Sequence, residues 1–180
     1  FEAEREASFF STGGLAAVHS SGRDRESIWN GLRRKETYGT SGDRILLWFD
    51  LVSESSDIPM GGTVKTAINP IFKVKAVGAF KQKPGCPDYS STNITDEEIE
   101  RICKNECYNP SDERKIITRI EVIKVTPQAF KGEQVDGLIS DPWKVFNCEP
   151  NQQGCEVEFS DEEFNSASRD ASYYVRAIQE

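Results

Sequence analysis

The side chain with the widest chemical range in this chain occurs only once, as His19. Imidazole is the commonest metal ligand and a frequent general base near neutral pH. Sites with several imidazole ligands, and catalytic dyads duplicated in one chain, cannot be assembled from a single histidine. A lone histidine after an apolar strand is more often a hydrogen-bonded structural residue than a ligand. The sequence therefore predicts a structural His19 and disfavours autonomous metal-dependent catalysis.

Five cysteines offer a second kind of chemistry. Cys148 and Cys155 flank a turn, Cys103 and Cys107 lie at the end of a predicted helix, and Cys86 lies in a Pro-Gly-Cys-Pro turn. None belongs to a Cys-x-x-Cys pair typical of zinc sites. We expect Cys148 to pair with Cys155, and Cys86 to pair with Cys103 or Cys107, which leaves one thiol for a partner outside the chain. The alternative is five reduced thiols in a cytosolic protein.

A glycine-rich turn contains a possible anion-binding group. Thr40, Ser41 and Arg44 offer two hydroxyls and a guanidinium, which suit a phosphate or a carboxylate. Turn chemistry and a charge at a strand edge explain the same residues, and this is the interpretation we favour.

An acidic run at residues 161–163, near Asp170, has the oxygen ligands that calcium prefers. It lacks the alternating ligand pattern of a calcium-binding loop. We therefore expect a solvated acidic surface there.

The three tryptophans are candidates for ligand stacking or for packing. Trp48 and Trp143 could form a sugar-stacking platform, but tryptophans at strand positions usually pack a core or a domain interface. Trp29 is expected to pack its helix onto the neighbouring layer.

Composition excludes two classes of partner. The chain has 22 Lys+Arg against 30 Asp+Glu, a net charge of −8, and its one concentrated basic run, residues 33–35, is followed by Glu36. Nucleic acid requires a basic surface to neutralise phosphates. No apolar run approaches the roughly 18 residues of a membrane-spanning helix. We therefore expect no nucleic-acid partner and no membrane span.

Two segments with different patterns position these residues. Residues 15–18 predict a short strand, residues 24–35 an amphipathic helix, and a second strand begins near Tyr38, the order of a βαβ unit in an α/β layer. We place the boundary near Gly42, so that residues 1–42 form the first segment and residues 43–180 the second.

Alternating apolar residues dominate the second segment and predict an antiparallel β-sandwich with one helix near residues 95–104. The helix starts with a capping box at Thr95 and Glu98. We expect the chain to be a piece of a longer polypeptide whose sandwich lacks its last strand. The predicted fold is mixed and mainly antiparallel β. The strand candidates are residues 44–52, 72–77, 116–125, 143–146, 155–159 and 173–178.

Several stretches resemble the C-terminal part of a bacterial domain-of-unknown-function family (DUF3604), which is similar to the PHP (polymerase and histidinol phosphatase) metal-dependent hydrolases. The resemblance covers nearly the whole chain. It rests on GGLAAVHSSGRDRESIWNGLRRKETYGTSGDRILLWFDL, KQKPGCPDY, ECYNPSDER, ITRIEVIKV, DPWKVF and YYVRAIQE.

The resemblance implies a distorted α/β barrel that holds divalent metal, such as zinc or manganese, followed by a β-sandwich. Residues 1–42 would be the last, incomplete part of that barrel, and the metal-binding His-x-His and Asp-x-His motifs would lie before Phe1. His19, Thr40, Ser41 and Arg44 would then be candidates for the wall of the parent's site, with no metal ligand and no cofactor in this chain. The resemblance also implies a periplasmic or secreted protein.

Two functions follow from these patterns. The first is the C-terminal part of a PHP-like metal-dependent phosphoesterase or hydrolase, inactive alone, whose partner is the barrel portion of the same polypeptide. The alternative is a non-catalytic β-sandwich that binds carbohydrate or a protein partner. If the first segment is a barrel edge, its apolar residues should lie exposed or pack against a second copy in a homodimer. These residues are Leu15, Val18, Ile28, Trp29 and Leu32.

Overall fold

Alternating strands build two antiparallel sheets that pack face to face. The computed structural model describes residues 13–90, 92–104 and 107–180. A four-stranded sheet has the order β10-β5-β3-β4, and a three-stranded sheet has the order β11-β8-β9. The strands are β1 (Leu15–Val18), β2 (Thr37–Thr40), β3 (Leu46–Leu51), β4 (Ile58–Pro59), β5 (Ile71–Val77), β6 (Phe80–Gln82), β7 (Pro110–Arg114), β8 (Ile117–Val125), β9 (Ile139–Asn147), β10 (Cys155–Ser160) and β11 (Ser172–Gln179). The helices are α1 (Arg25–Arg33), α2 (Asp96–Cys103) and α3 (Phe164–Ala167), with a 3₁₀ turn at Asp88–Ser90.

The core lies between these two sheets because every second side chain of their strands points inward. Val74 and Ala76 of β5 are fully buried against Ile120 and Val122 of β8, which are also fully buried. Phe159 of β10 completes the cluster from the same sheet as β5. This packing confirms the predicted mixed, mainly antiparallel β fold.

The first segment has the predicted order of strand, helix and strand, but its strands pair differently from a barrel repeat. β1 and β2 run antiparallel, with Leu15 opposite Thr40 and Val18 opposite Thr37. In a βαβ repeat the helix returns the chain so that the two strands run parallel. Here α1 begins and ends at the same end of the strand pair, and the amide of His19 donates to the oxygen of Glu36 at that end. After α1 the chain therefore continues as β2, which runs alongside β1 in the opposite direction.

Close contacts hold this β1-α1-β2 element, residues 13–42, in shape. A Cβ atom at Gly31 would lie 2.4 Å from the backbone oxygen of His19, so α1 packs onto the end of β1 at a distance that only glycine permits. Gly61, which follows β4 of the sandwich, has a φ of +87°. A Cβ atom there would lie 2.4 Å from the backbone oxygen of Lys35. Asp43, just after the element, accepts from Lys115 Nζ at 2.7 Å.

The predicted helix of the second segment is confirmed together with its cap. The Thr95 hydroxyl accepts from the Glu98 amide at 3.3 Å, and the Glu98 carboxylate accepts from the Thr95 amide at 3.0 Å. Two short strands near this helix, β6 and β7, pair with each other and were not predicted.

Two disulfides are present, Cys86–Cys107 and Cys148–Cys155. Both agree with the predicted pairings, and the first resolves the choice between Cys103 and Cys107. Four of the five cysteines are thereby paired. Disulfides of this kind are typical of an oxidising compartment.

β11 lies at an edge of the three-stranded sheet and pairs with β8 along its whole length. The expectation of a further strand in the sandwich stays a prediction.

Candidate functional site

His19 lies between the β1-α1-β2 element and the sandwich. Its Nε2 donates to the backbone oxygen of Leu47 at 2.8 Å. Its ring centroid lies 5.6 Å from that of Tyr38 and 5.9 Å from that of Trp48. The Tyr38 hydroxyl donates to the backbone oxygen of Ile45 at 2.9 Å. Two side chains of the first segment therefore bind backbone oxygens at β3 or just before it, which gives His19 a structural partner.

The structure does not bring the four predicted site residues into one cluster. Thr40 pairs with Leu15, at the end of the β1–β2 pair opposite to His19. The Thr40 hydroxyl accepts from the amide of Gly42 at 3.2 Å, which is turn chemistry. Ser41 is exposed in the same turn.

Arg44 has an aromatic partner of its own. Its guanidinium lies 3.8 Å from the ring centroid of Tyr108. This is within cation–π distance, so the turn and a local aromatic contact account for Thr40 and Arg44.

Trp48 and Trp143 do not form a shared stacking platform. Trp48 is half-buried beside His19, whereas Trp143 packs against the core, with its ring 6.2 Å from Phe159. The ammonium of Lys144 lies 4.7 Å from the Trp143 ring centroid. Packing, the interpretation favoured from sequence, accounts for both rings.

One face of α1 exposes apolar side chains, and we call it the apolar docking face. It comprises Ile28, Trp29 and Leu32, which are 36%, 59% and 47% exposed and line one shallow depression. Leu15 of β1 is 41% exposed. Val18 is half-buried. The expectation that Trp29 packs α1 onto its layer is wrong, because α1 contacts β1 through Gly31 instead. The separate prediction that the apolar residues of this segment lie exposed is confirmed for Leu15, Ile28, Trp29 and Leu32, but not for Val18.

A cavity of about 440 Å³ opens between the edge formed by β3 and β4 and the edge of β11. Its walls are largely aromatic and apolar. Among its lining residues are Tyr38, Phe49, Asp50, Met60, Tyr173 and Tyr174.

Asp50 is the acidic residue in the wall of this cavity. Burial raises the pKa of its carboxyl, and the nearby charge of Asp57 raises it further, although His19 and Lys73 act in the opposite direction. Within the described part of the chain, no hydrogen bond or salt bridge holds this carboxylate. An acid with a raised pKa in a cavity is a typical feature of a binding site.

A second polar site, the buried charge cluster, lies between the two sheets. It consists of Lys124, Asp161 and Tyr173. Asp161 is fully buried, and its Oδ2 lies 2.5 Å from Lys124 Nζ and accepts from the Tyr173 hydroxyl at 2.5 Å. The prediction of a solvated surface at residues 161–163 is therefore wrong at Asp161, although Glu162 and Glu163 are exposed.

Burial and neighbouring groups shift the pKa values of Asp161 and Tyr173 in opposite directions. Burial alone would raise the pKa of Asp161, but hydrogen bonds from Lys124 and Tyr173 and the charge of Lys124 hold it below its usual value. Burial, together with the bond to Asp161, raises the pKa of Tyr173 far above the usual value. The resting cluster is thus an ion pair beside a neutral phenol.

The position of Lys124 on β8 is a sequence signal for the buried charge cluster that the sequence analysis missed. Lys124 shares the inward face of β8 with Ile120 and Val122, and Tyr173 lies opposite Lys124 on β11. A lysine that continues an inward apolar series predicts a buried acidic partner. Asp161 reaches it because its amide donates to the oxygen of Pro70 directly after β10.

The residues that the structure describes do not fit a divalent metal centre. In the described ranges, no three His, Cys, Asp or Glu side chains come together in an arrangement that could hold a metal ion. We therefore derive no catalytic step through a metal from this chain.

None of the helices described by the structure has the length and apolar character needed to cross a membrane.

Comparison with known proteins gives a family match over part of the chain. No curated protein and no solved structure matches the chain. The region that matches a protein family includes the β1-α1-β2 element and the first strands of the sandwich. Residues 2–79 match the family described as "Protein of unknown function (DUF3604)".

Proposed function

We propose that this chain is the accessory β-sandwich of a PHP-like metal-dependent hydrolase and that it is inactive alone. The motifs quoted in the sequence analysis support the proposal through their resemblance, and the match over residues 2–79 supports the family of unknown function alone. The matched region includes the whole β1-α1-β2 element, residues 13–42. In this proposal that element connects the sandwich to a metal-binding barrel.

The apolar docking face carries the proposal. Trp29 is 59% exposed on a surface that also includes Ile28 and Leu32. Contiguous apolar surface of this kind marks an interaction site. We assign the barrel portion of the same polypeptide as its occupant. A second copy of the chain, forming a homodimer, is the competing occupant.

The barrel portion supplies the divalent metal in this proposal, as zinc, manganese or a similar ion. This chain would dock against the barrel portion and would contribute no metal ligands. The contacts of His19, Thr40 and Arg44 favour structural roles at the junction, and Ser41 remains a candidate for the wall of the parent's site.

Metal content and ester hydrolysis test the proposal. Both are measured for this chain and for the longer polypeptide that contains it, with generic phosphate and carboxylic esters as substrates. We expect bound metal and hydrolysis in the longer polypeptide and neither in this chain. A longer polypeptide without metal and without hydrolysis would contradict the proposal.

The cavity beside Asp50 favours a second candidate, a non-catalytic carbohydrate-binding module. Aromatic walls and a free carboxylate are groups that contact sugar rings and sugar hydroxyls. Titration of the chain with an array of soluble oligosaccharides tests it. Binding that is lost in Asp50→Asn but kept in Asp57→Asn would support this candidate, and absence of binding would reject it.

We also propose a periplasmic or secreted location. The two disulfides support an oxidising compartment, and the family resemblance supports export. Fractionation of the native host, followed by detection of the oxidised chain, tests the location.

A further inference from the structure

Lys124 and Asp161 come from opposite sheets and meet inside the sandwich. Lys124 lies on β8 of the three-stranded sheet, and Asp161 follows β10 of the four-stranded sheet. The Nζ and Oδ2 atoms lie 2.5 Å apart. From this geometry we propose that Lys124 and Asp161 condense into an intramolecular amide, an isopeptide bond that joins the two sheets covalently.

The pair is largely enclosed by protein. The Asp161 side chain is 1% exposed and the Lys124 side chain 15% exposed. The Lys124 ammonium lies 5.2 Å from the Trp143 ring centroid, and Tyr173 packs against both Phe72 and Trp143. Condensation releases water, so an enclosed apolar site favours the amide over its hydrolysis.

The two carboxylate oxygens of Asp161 have different partners, as the reaction requires. Oδ1 accepts from the backbone amide of Glu163 at 3.2 Å. Oδ2 contacts Lys124 Nζ and accepts from the Tyr173 hydroxyl. Oδ1 is therefore positioned to become the amide oxygen, with the Glu163 amide stabilising negative charge on it. Oδ2 is positioned to leave.

The step balances without any co-reactant. A proton passes from Nζ to Oδ2, which leaves a neutral amine beside a neutral acid. The lone pair of Nζ then forms the bond to Cγ, and the bond from Cγ to Oδ2 breaks. A second proton from Nζ reaches Oδ2 through the Tyr173 hydroxyl, which donates one proton and accepts another. The ammonium loses two protons, and Oδ2 leaves as water.

Tyr173 is suited to this relay. Its raised pKa keeps the phenol protonated, so that it can donate to the leaving oxygen. It is a catalytic residue in this proposal because it contacts a reacting atom.

A second lysine–aspartate pair provides an internal comparison. Lys115 Nζ lies 2.7 Å from Asp43 Oδ2, but the two side chains are 32% and 48% exposed. Water reaches this pair because both side chains are partly exposed. We expect it to remain an ion pair.

Mass spectrometry of the full chain tests the proposal. After reduction and denaturation, the purified chain should weigh one water less than its sequence, and trypsin should leave Lys124 uncleaved within a branched peptide that contains Asp161. Lys124→Arg keeps the cation but has no primary amine, so its mass should equal that of its sequence. Tyr173→Phe should slow the loss of water.

Each alternative result overturns the proposal. A folded wild-type chain with the full mass of its sequence would show a simple ion pair. Loss of water that maps elsewhere, including to Lys115 and Asp43, would contradict the assignment. If Lys124→Arg does not fold, the peptide map of the wild-type chain still decides the question.

Discussion

The imidazole of His19 donates to the backbone oxygen of Leu47, and this hydrogen bond joins the β1-α1-β2 element to β3. His19→Phe keeps a ring of similar size between Tyr38 and Trp48 but removes the donor. We expect a loss of about 1 kcal/mol in the free energy of unfolding, the typical net contribution of one hydrogen bond. Urea denaturation measures it. Ser41→Ala, at an exposed turn, is the control and should change stability by less than about 0.5 kcal/mol. Equal midpoints for the two variants would refute the role given to His19.

Removing Asp161 should strongly destabilise the fold. Asp161→Ala leaves Lys124 between the sheets without its acidic partner, which typically costs about 3–5 kcal/mol. The double variant Lys124→Met with Asp161→Leu removes both polar groups and should be more stable than Asp161→Ala. Calorimetry compares the three chains. An Asp161→Ala chain with wild-type stability would contradict the burial of the cluster.

Alkaline pH should destabilise the chain through Tyr173. Burial raises the pKa of this phenol above its ordinary value of 10.0, so the unfolded state ionises before the folded state does. The stabilising contribution is present below the ordinary pKa and is lost as pH rises above it towards the folded value. Tyr173→Phe should lose stability less steeply over this range. Tyr89→Phe, at a residue that is 73% exposed, should keep the wild-type slope. Identical slopes in all three chains would reject the shift.

The two disulfides should contribute unequally to stability. Cys86 and Cys107 are 21 residues apart, and Cys148 and Cys155 are 7 residues apart. The chain-entropy model assigns about 3 kcal/mol to the longer loop and about 2.5 kcal/mol to the shorter one. Replacing each pair by serines and measuring the denaturation midpoint tests this order. A larger loss at the shorter loop would contradict the entropic origin.

The sandwich was predictable because its strands alternate strictly. Residues 72–77 and 155–159 were predicted as strands, and they pair in the structure with Val157 opposite Val74. β7 escaped prediction because Pro110–Arg114 has no apolar alternation, and it forms a strand only through pairing with β6.

The antiparallel pairing of β1 and β2 was also not predictable from local pattern. The order strand, helix, strand along the chain is the same in a βαβ repeat and in an antiparallel strand pair whose connection contains a helix. Tertiary contacts decide between them, here the bond from the His19 amide to Glu36.

The polar sites were less predictable than the fold. An acidic run usually indicates a solvated surface, and nothing near residues 161–163 reveals that Asp161 is buried. Its partners Lys124 and Tyr173 lie 37 and 12 positions away along the chain, so only the folded register brings them together.

Hydroxyl-radical footprinting of Trp29 tests the central claim most directly. Trp29 is 59% exposed here, and in the proposed function it lies at an interface with the barrel portion of the same polypeptide. We predict rapid oxidation of Trp29 in this chain as a monomer and strong protection in the longer polypeptide, with Tyr89 oxidised equally in both. Equal oxidation of Trp29 in the two proteins would contradict the account.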